Sequence, residues 1–292
     1  MDLIDQIMAV LQSSPVLLDV IALCFGLIFG SFLNVVIYRL PVMMKRAWER
    51  EANEILGNET ELDQEKFNLV VPRSRCPACG HAITALENIP VVSYLLLRAR
   101  CAECGAHISA RYPLIELLTG ILTMIVFMRF GPTPAALACS LLTFGLIAAS
   151  MIDYDHQLIP DDISLPLLWL GLMVNYFNVL VPFHDAFWGA IAGYGVLWIV
   201  FHIFRLVTRK EGMGYGDFKW LAMLGAWMGW QNLPLIVILS SFSGALAGGL
   251  LIALGRDRAK PIPFGPWLSI AGFIALIWGH QITSSYLKFA AF

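Results

Sequence analysis

Gly214-Tyr215-Gly216-Asp217-Phe218-Lys219 sets a carboxylate directly after two glycines, where a basic polar loop runs into a strongly apolar segment. Charge is expensive in hydrocarbon, so an ionisable residue at a membrane span is a functional hypothesis by default. A second carboxylate, Asp153, ends another apolar segment 64 residues earlier. Read outward from these two points, the chain is a series of apolar runs punctuated by short polar loops.

Composition agrees. Of 292 residues, 58% are hydrophobic and 14% charged, and the mean hydropathy is +0.72. Soluble domains carry roughly 45–50% apolar and about 25% charged residues. The expected fold class is therefore an all-α polytopic membrane protein, surrounded by membrane lipid. The net charge of −2 and the placement of basic residues in loops beside spans give no sign of nucleic-acid binding. Asp2, Asp5 and Asp19 precede the first basic residue, Arg39. A cleavable secretory signal needs a basic start, so a retained first span is expected.

About eight transmembrane helices are expected, near 15–38, 112–130, 134–153, 163–182, 185–206, 217–231, 233–254 and 265–287. Most approach the roughly 17–25 residues a bilayer requires. The run 217–231 is short and either starts inside the interface or packs against neighbours. This divides the chain into an N-terminal region with the first span (1–40), a polar insert (41–110) and a C-terminal membrane domain (111–292). With the first loop inside, segments 39–111, 205–210 and 256–260 together with Lys219 put 17 of the 19 basic residues on the cytoplasmic side. Asp153 then ends a span that reaches the inner face, and Asp217 starts one that leaves it.

The insert contains Cys76-Pro77-Ala78-Cys79-Gly80 and Cys101-Ala102-Glu103-Cys104-Gly105. Two such knuckles suit a tetrahedral structural Zn2+ site with Cys76, Cys79, Cys101 and Cys104 as ligands. A disulfide or redox pair competes, but cytoplasmic thiols stay reduced. His81 and His107 each follow a knuckle as substitute ligands or as solvent-facing side chains. Cys24 and Cys139 read as small packing residues within spans. The apolar stretch Ile89–Leu97 is too short to span, and reads as core of the insert or a patch docking it on the membrane.

Around Asp153 the chain reads Met151-Ile152-Asp153-Tyr154-Asp155-His156-Gln157-Leu158-Ile159-Pro160-Asp161-Asp162. Asp153 follows unbroken apolar sequence. Asp161 and Asp162 read as helix N-terminal charges, and Asp155 lies further into the loop. Two carboxyls at one site cannot both ionise comfortably, so they share a proton near neutral pH. One then activates water while the other protonates a carbonyl. Gly214 and Gly216 would let the backbone approach an extended peptide. The competing readings are a plain inter-helix turn with an aspartate cap, and a proton-coupled transporter with a structural zinc insert.

The combination resembles the type IV prepilin peptidases, in the bacterial zinc-containing branch of the Gly-x-Gly-Asp aspartic membrane proteases. The residues that carry the resemblance are Asp153 in Ile-Asp-Tyr-Asp-His-Gln-Leu-Ile-Pro-Asp, Asp217 in Gly-Tyr-Gly-Asp and the paired knuckles. Gly30-Ser31-Phe32-Leu33-Asn34-Val35-Val36, Arg111-Tyr112-Pro113-Leu114-Ile115-Glu116 and Pro261-Ile262-Pro263-Phe264-Gly265-Pro266 extend it almost end to end. The resemblance implies an enzyme of the bacterial inner membrane, acting near the cytoplasmic face. It would cleave the leader from prepilins and pseudopilins with Asp153 and Asp217 as the catalytic pair. It would then methylate the new amino terminus with S-adenosylmethionine. Gly30, Asn34, Arg111 and Glu116 are the candidates for the methyl-donor site that the resemblance suggests. Packing glycine, interfacial anchor and helix-neighbour roles compete for the same residues.

Overall fold

The computed structural model describes residues 11–57, 66–210, 212–255 and 262–290. Asp2, Asp5, the basic residues of 256–260 and Pro261, used above, lie outside the described residues. The described chain has no strand, only two isolated bridges. It forms two compact units, residues 1–132 and 133–292.

In the first unit, α1 runs from Pro15 to Leu56, the short α2 from Val92 to Leu96 and α3 from Arg111 to Phe130. Pro15 starts α1 where its missing N–H costs nothing. The helix continues well past the expected span end at 38. The apolar run stops, but residues 45–56 are mostly good helix formers, and polarity ends a span without ending a helix. Gly57 stops it in the left-handed region (φ 67°), donating its N–H to the Glu54 carbonyl. Helices α1 and α3 touch through small residues. A Cβ on Gly26 would lie 2.6 Å from Thr123 Oγ1, and one on Gly30 would lie 2.7 Å from Glu116 Cα. Close backbone approach of this kind holds membrane helices together where lipid removes the hydrophobic drive. Packing thus groups α3 with α1, whereas polarity grouped it with the C-terminal segment. Cys24 is exposed on α1 and does not pack, whereas Cys139 is buried.

The second unit contains α4 (Pro134–His156), α5 (Asp161–Tyr176), α6 (Phe183–Thr208), α7 (Tyr215–Met228), α8 (Leu233–Ala253) and α9 (Gly265–Ala290). Its core is α7, which contacts α5, α6, α8 and α9. Eleven of its fourteen residues are buried, so it is apolar on all sides, as a helix enclosed by others must be. Trp220 Nε1 donates to Ser269 Oγ at 2.9 Å, and Trp227 Nε1 to the Leu167 carbonyl at 2.8 Å. Gly189 of α6 lies against Gly225 of α7 with no room for a side chain on either. Asn175 is fully buried. Its Nδ2 donates to the carbonyls of Ala226 and Trp227, and its Oδ1 accepts from the N–H groups of Leu180 and Val181.

The eight expected spans are all helical. Five helices are long and apolar enough to cross a bilayer: α1, α3, α4, α6 and α8 with its preceding turn. Helix α5 stops at Tyr176, short of the expected 182, because Asn178 takes a left-handed conformation and Pro182 starts the next helix.

Candidate active site

Asp153 lies in the last turn of α4 and Asp217 in the first turn of α7. Both are buried, at 6% and 7% exposure. Each is held by a single backbone donor on Oδ2. Gly265 N–H donates to Asp153 at 2.9 Å, and Gly214 N–H donates to Asp217 at 3.2 Å. The second bond is half of a capping box, with Asp217 three residues into the helix that Gly214 caps. Among the described residues no group donates to Oδ1 of either aspartate. One oxygen of each carboxyl is anchored and the other is left for a ligand.

Ile159 links Gly265, the donor to Asp153, with Gly216, the residue before Asp217. It is buried in the turn after α4, 3.1 Å from where a Cβ on Gly216 would sit and 3.0 Å from one on Gly265. Lys219, two residues beyond Asp217, donates to both oxygens of Asp161 at 2.8 and 2.7 Å and ties α7 to the start of α5. Asp161 is thus an ion-pair partner as well as a first-turn charge. Asp155 and Tyr154 are exposed, which leaves Asp153 as the buried carboxylate of its loop. Buried ionisable side chains among the described residues are few: Arg39, Glu116, Asp153 and Asp217, together with two cysteines. Among the described residues no chain of buried charge crosses the helices, as a proton relay would need.

The four cysteine Sγ atoms lie within 4.8 Å of one another, with Cys76–Cys104 at 3.9 Å and Cys79–Cys101 at 4.0 Å. A tetrahedral ion with bonds near ~2.3 Å sets sulfurs about 3.8 Å apart, whereas a disulfide needs about 2.05 Å. The two knuckles repeat one fold. Gly80 N–H donates to the Cys76 carbonyl and Gly105 N–H to Cys101, both glycines being left-handed. Cys76 N–H donates to His81 and Cys101 N–H to Ala106. His81 is engaged elsewhere, its Nε2 3.1 Å from Glu87 Oε1. The Thr84 N–H and hydroxyl, then His81, hold the Glu87 carboxyl down at about 2, and Glu87 in turn raises His81.

Gly30, Asn34 and Glu116 come together where α1 meets α3. Asn34 Nδ2 donates to the carbonyls of Gly30 and Tyr112. Glu116 Oε2 accepts the Val91 N–H at 2.7 Å. Val91 is β-branched at φ 61°, a left-handed conformation such residues rarely take. Glu116 therefore clamps a strained point of the insert. Arg111 opens α3, five residues before Glu116. Leu95 and Leu96 are exposed, so Ile89–Leu97 is not an insert core.

Gly265 and Ile159 carried no role in the sequence reading. The Pro-rich stretch 261–266 marked the region of Gly265, but the partner that needs the glycine is 112 residues away.

Residues 24–130 match the bacterial peptidase A24 N-terminal domain, and residues 140–249 match the type IV leader peptidase family. A prepilin leader peptidase/N-methyltransferase of Stutzerimonas stutzeri is 55% identical over 96% of this chain and 97% of its own. The protein of that name in Pseudomonas aeruginosa is 56% identical over 97% and 98%. Its counterpart in Dichelobacter nodosus is 48% identical over 91% and 94%. No solved structure matches the chain. With both parts of the chain matched and its relatives aligned nearly end to end, the chain belongs to the type IV leader peptidase family.

Proposed function

We propose that this chain cleaves the leader from prepilins and pseudopilins at Asp153 and Asp217, and then methylates the new amino terminus. One observation carries the peptidase reading: two buried carboxylates, each anchored through one oxygen by a glycine N–H and open at the other. The ionised member takes a proton from water as the water oxygen attacks the scissile carbonyl carbon. The protonated member gives its proton to the carbonyl oxygen. The C–N bond then breaks as the leaving nitrogen is protonated. No covalent enzyme intermediate forms. The clustering of lysine and arginine in the loops beside these helix ends supports an inner-membrane enzyme acting at the cytoplasmic face.

Cys76, Cys79, Cys101 and Cys104 would hold one zinc ion. Four thiolates leave no open position, so the metal orders the knuckle region 66–110 and takes no part in hydrolysis. S-adenosylmethionine supplies an electrophilic methyl group when bound. Of the four candidate residues, Glu116 offers the buried carboxylate suited to an ammonium group. Gly30 and Asn34 set the approach of the helices around it, and Arg111 marks the near end of α3.

The test is incubation of the purified protein with a prepilin, with and without S-adenosylmethionine, followed by mass measurement. The expected products are the mature pilin without the cofactor and the same product 14 Da heavier (roughly one methylene, the net gain of one methylation) with it. Recovery of intact prepilin in both arms would overturn the reading.

A further inference from the structure

The first unit has a cavity lined by none of the residues proposed above for either activity. It is a half-open groove of about 410 Å³, lined among the described residues by Arg46, Lys66, Phe67, Val71, Pro72 and Arg75. Among the described lining residues three of the six are cations and none is an acid. The Arg46 guanidinium sits 4.7 Å from the centre of the Phe67 ring, which fixes the cation without neutralising it. The Asn68–Pro72 turn beside the groove is held by hydrogen bonds. Arg39, itself buried, donates to the carbonyls of Asn68 at 2.9 Å and Pro72 at 2.6 Å. Asn68 Oδ1 accepts the N–H groups of Val70 and Val71 at 2.8 and 2.7 Å. The turn that faces the cations is thus built from bonds to α1 and within itself.

The position of the cavity points to its ligand. Arg46 follows Leu40, where the first apolar run ends, by six residues. At ~1.5 Å per residue this is about 9 Å along α1. The polar layer of a bilayer is about 5–7 Å deep on each side, and arginine side chains extend along an apolar surface to reach it. The cavity mouth therefore stands at the level of lipid headgroups. Basic pockets beside a transmembrane helix suit anionic headgroups, whose phosphate takes forked hydrogen bonds from guanidinium.

We propose that Arg46, Lys66 and Arg75 form a binding site for the phosphate of an anionic phospholipid headgroup. The site lies in the first unit and is independent of the aspartate pair, so it stands or falls apart from the peptidase reading.

The test is native mass spectrometry of the full chain purified in detergent and offered phosphatidylglycerol, phosphatidylcholine or inorganic phosphate. The wild type should retain one phosphatidylglycerol in preference to phosphatidylcholine. Arg46→Gln and Arg75→Gln should each weaken retention about tenfold, the loss of one charge-assisted hydrogen bond to the phosphate. Arg46→Lys should keep most of it, which a misfolded variant would not. Lys45→Gln removes the same charge at the same depth from an exposed residue outside the cavity and should change little. Equal loss for Lys45→Gln and Arg46→Gln would overturn the proposal in favour of general surface charge. Binding of inorganic phosphate without preference for phosphatidylglycerol would overturn it in favour of a soluble phosphate ligand.

Discussion

The backbone N–H of Gly265 donates to Oδ2 of Asp153 at 2.9 Å, and a Cβ at 265 would stand 2.6 Å from that same oxygen. The start of α9 thus positions the carboxylate proposed to be catalytic, and it can do so only without a side chain. Gly265→Ala must push the carboxylate away from its donor. A displacement of about 1 Å in a reacting group costs on the order of 10²-fold in rate. Helix α9 itself should tolerate alanine, a better helix former than glycine. The expected outcome is normal accumulation with leader cleavage reduced about 100-fold in kcat. Cleavage within twofold of wild type would show that Gly265 does not set the aspartate.

Asp153→Asn and Asp217→Asn keep the shape of each side chain and an oxygen to accept its glycine N–H. They remove the group that ionises. Each should abolish prepilin cleavage, followed by gel mobility, while the protein still accumulates. The residues proposed for methyl transfer belong to the other unit. A pilin peptide already freed of its leader should therefore still be methylated by both variants. Substantial cleavage by either variant would remove that aspartate from the pair.

The two aspartates stand out in the sequence because they are costly: each bounds an apolar run, and the alternation of spans leads to the expectation that both lie at one face. The cysteine knuckles were legible because their spacing is a ligand pattern. The support around them was not. Ile159 reads as one apolar residue among many, and its contacts with Gly216 and Gly265 exist only after α7 and α9 are assembled. The helix beyond residue 40 was missed because hydropathy measures membrane, not helix. The α7 segment was short for a span because helices surround it, so its length is set by its neighbours as well as by the bilayer. The pairing of α3 with α1 rests on Gly26, Gly30 and Gly120, and glycine in an apolar run signals close packing without naming the partner.

Cys76→Ser tests the metal. Cys76 is the buried member of the set, 3.9 Å from Cys104. Purified wild type should contain about one zinc per chain, and the variant should contain almost none. Structural zinc contributes about 10–16 kcal/mol to small domains that fold around it, so loss of the ion should leave the 66–110 region sensitive to protease. The second unit contains none of the four ligands and should keep its helical signal. A wild type without metal would sink the zinc reading.

Asn175 is the costliest buried amide in the second unit. It accepts from two N–H groups and donates to two carbonyls at the end of α7, with no exposure to water. Replacing it with leucine leaves four backbone groups to find other partners. An unsatisfied buried group costs about 1–3 kcal/mol, so even partial rearrangement should remove several kcal/mol. That is a large share of the roughly 5–15 kcal/mol that holds a domain folded. Lys219→Met is the contrast. It breaks a half-exposed ion pair with Asp161, and such pairs are worth about 0–1 kcal/mol. Asn175→Leu should lower the melting temperature sharply or prevent accumulation, while Lys219→Met should leave the melting temperature nearly unchanged. Equal effects would mean that the Asn175 bonds contribute no more to holding α7 than one half-exposed ion pair.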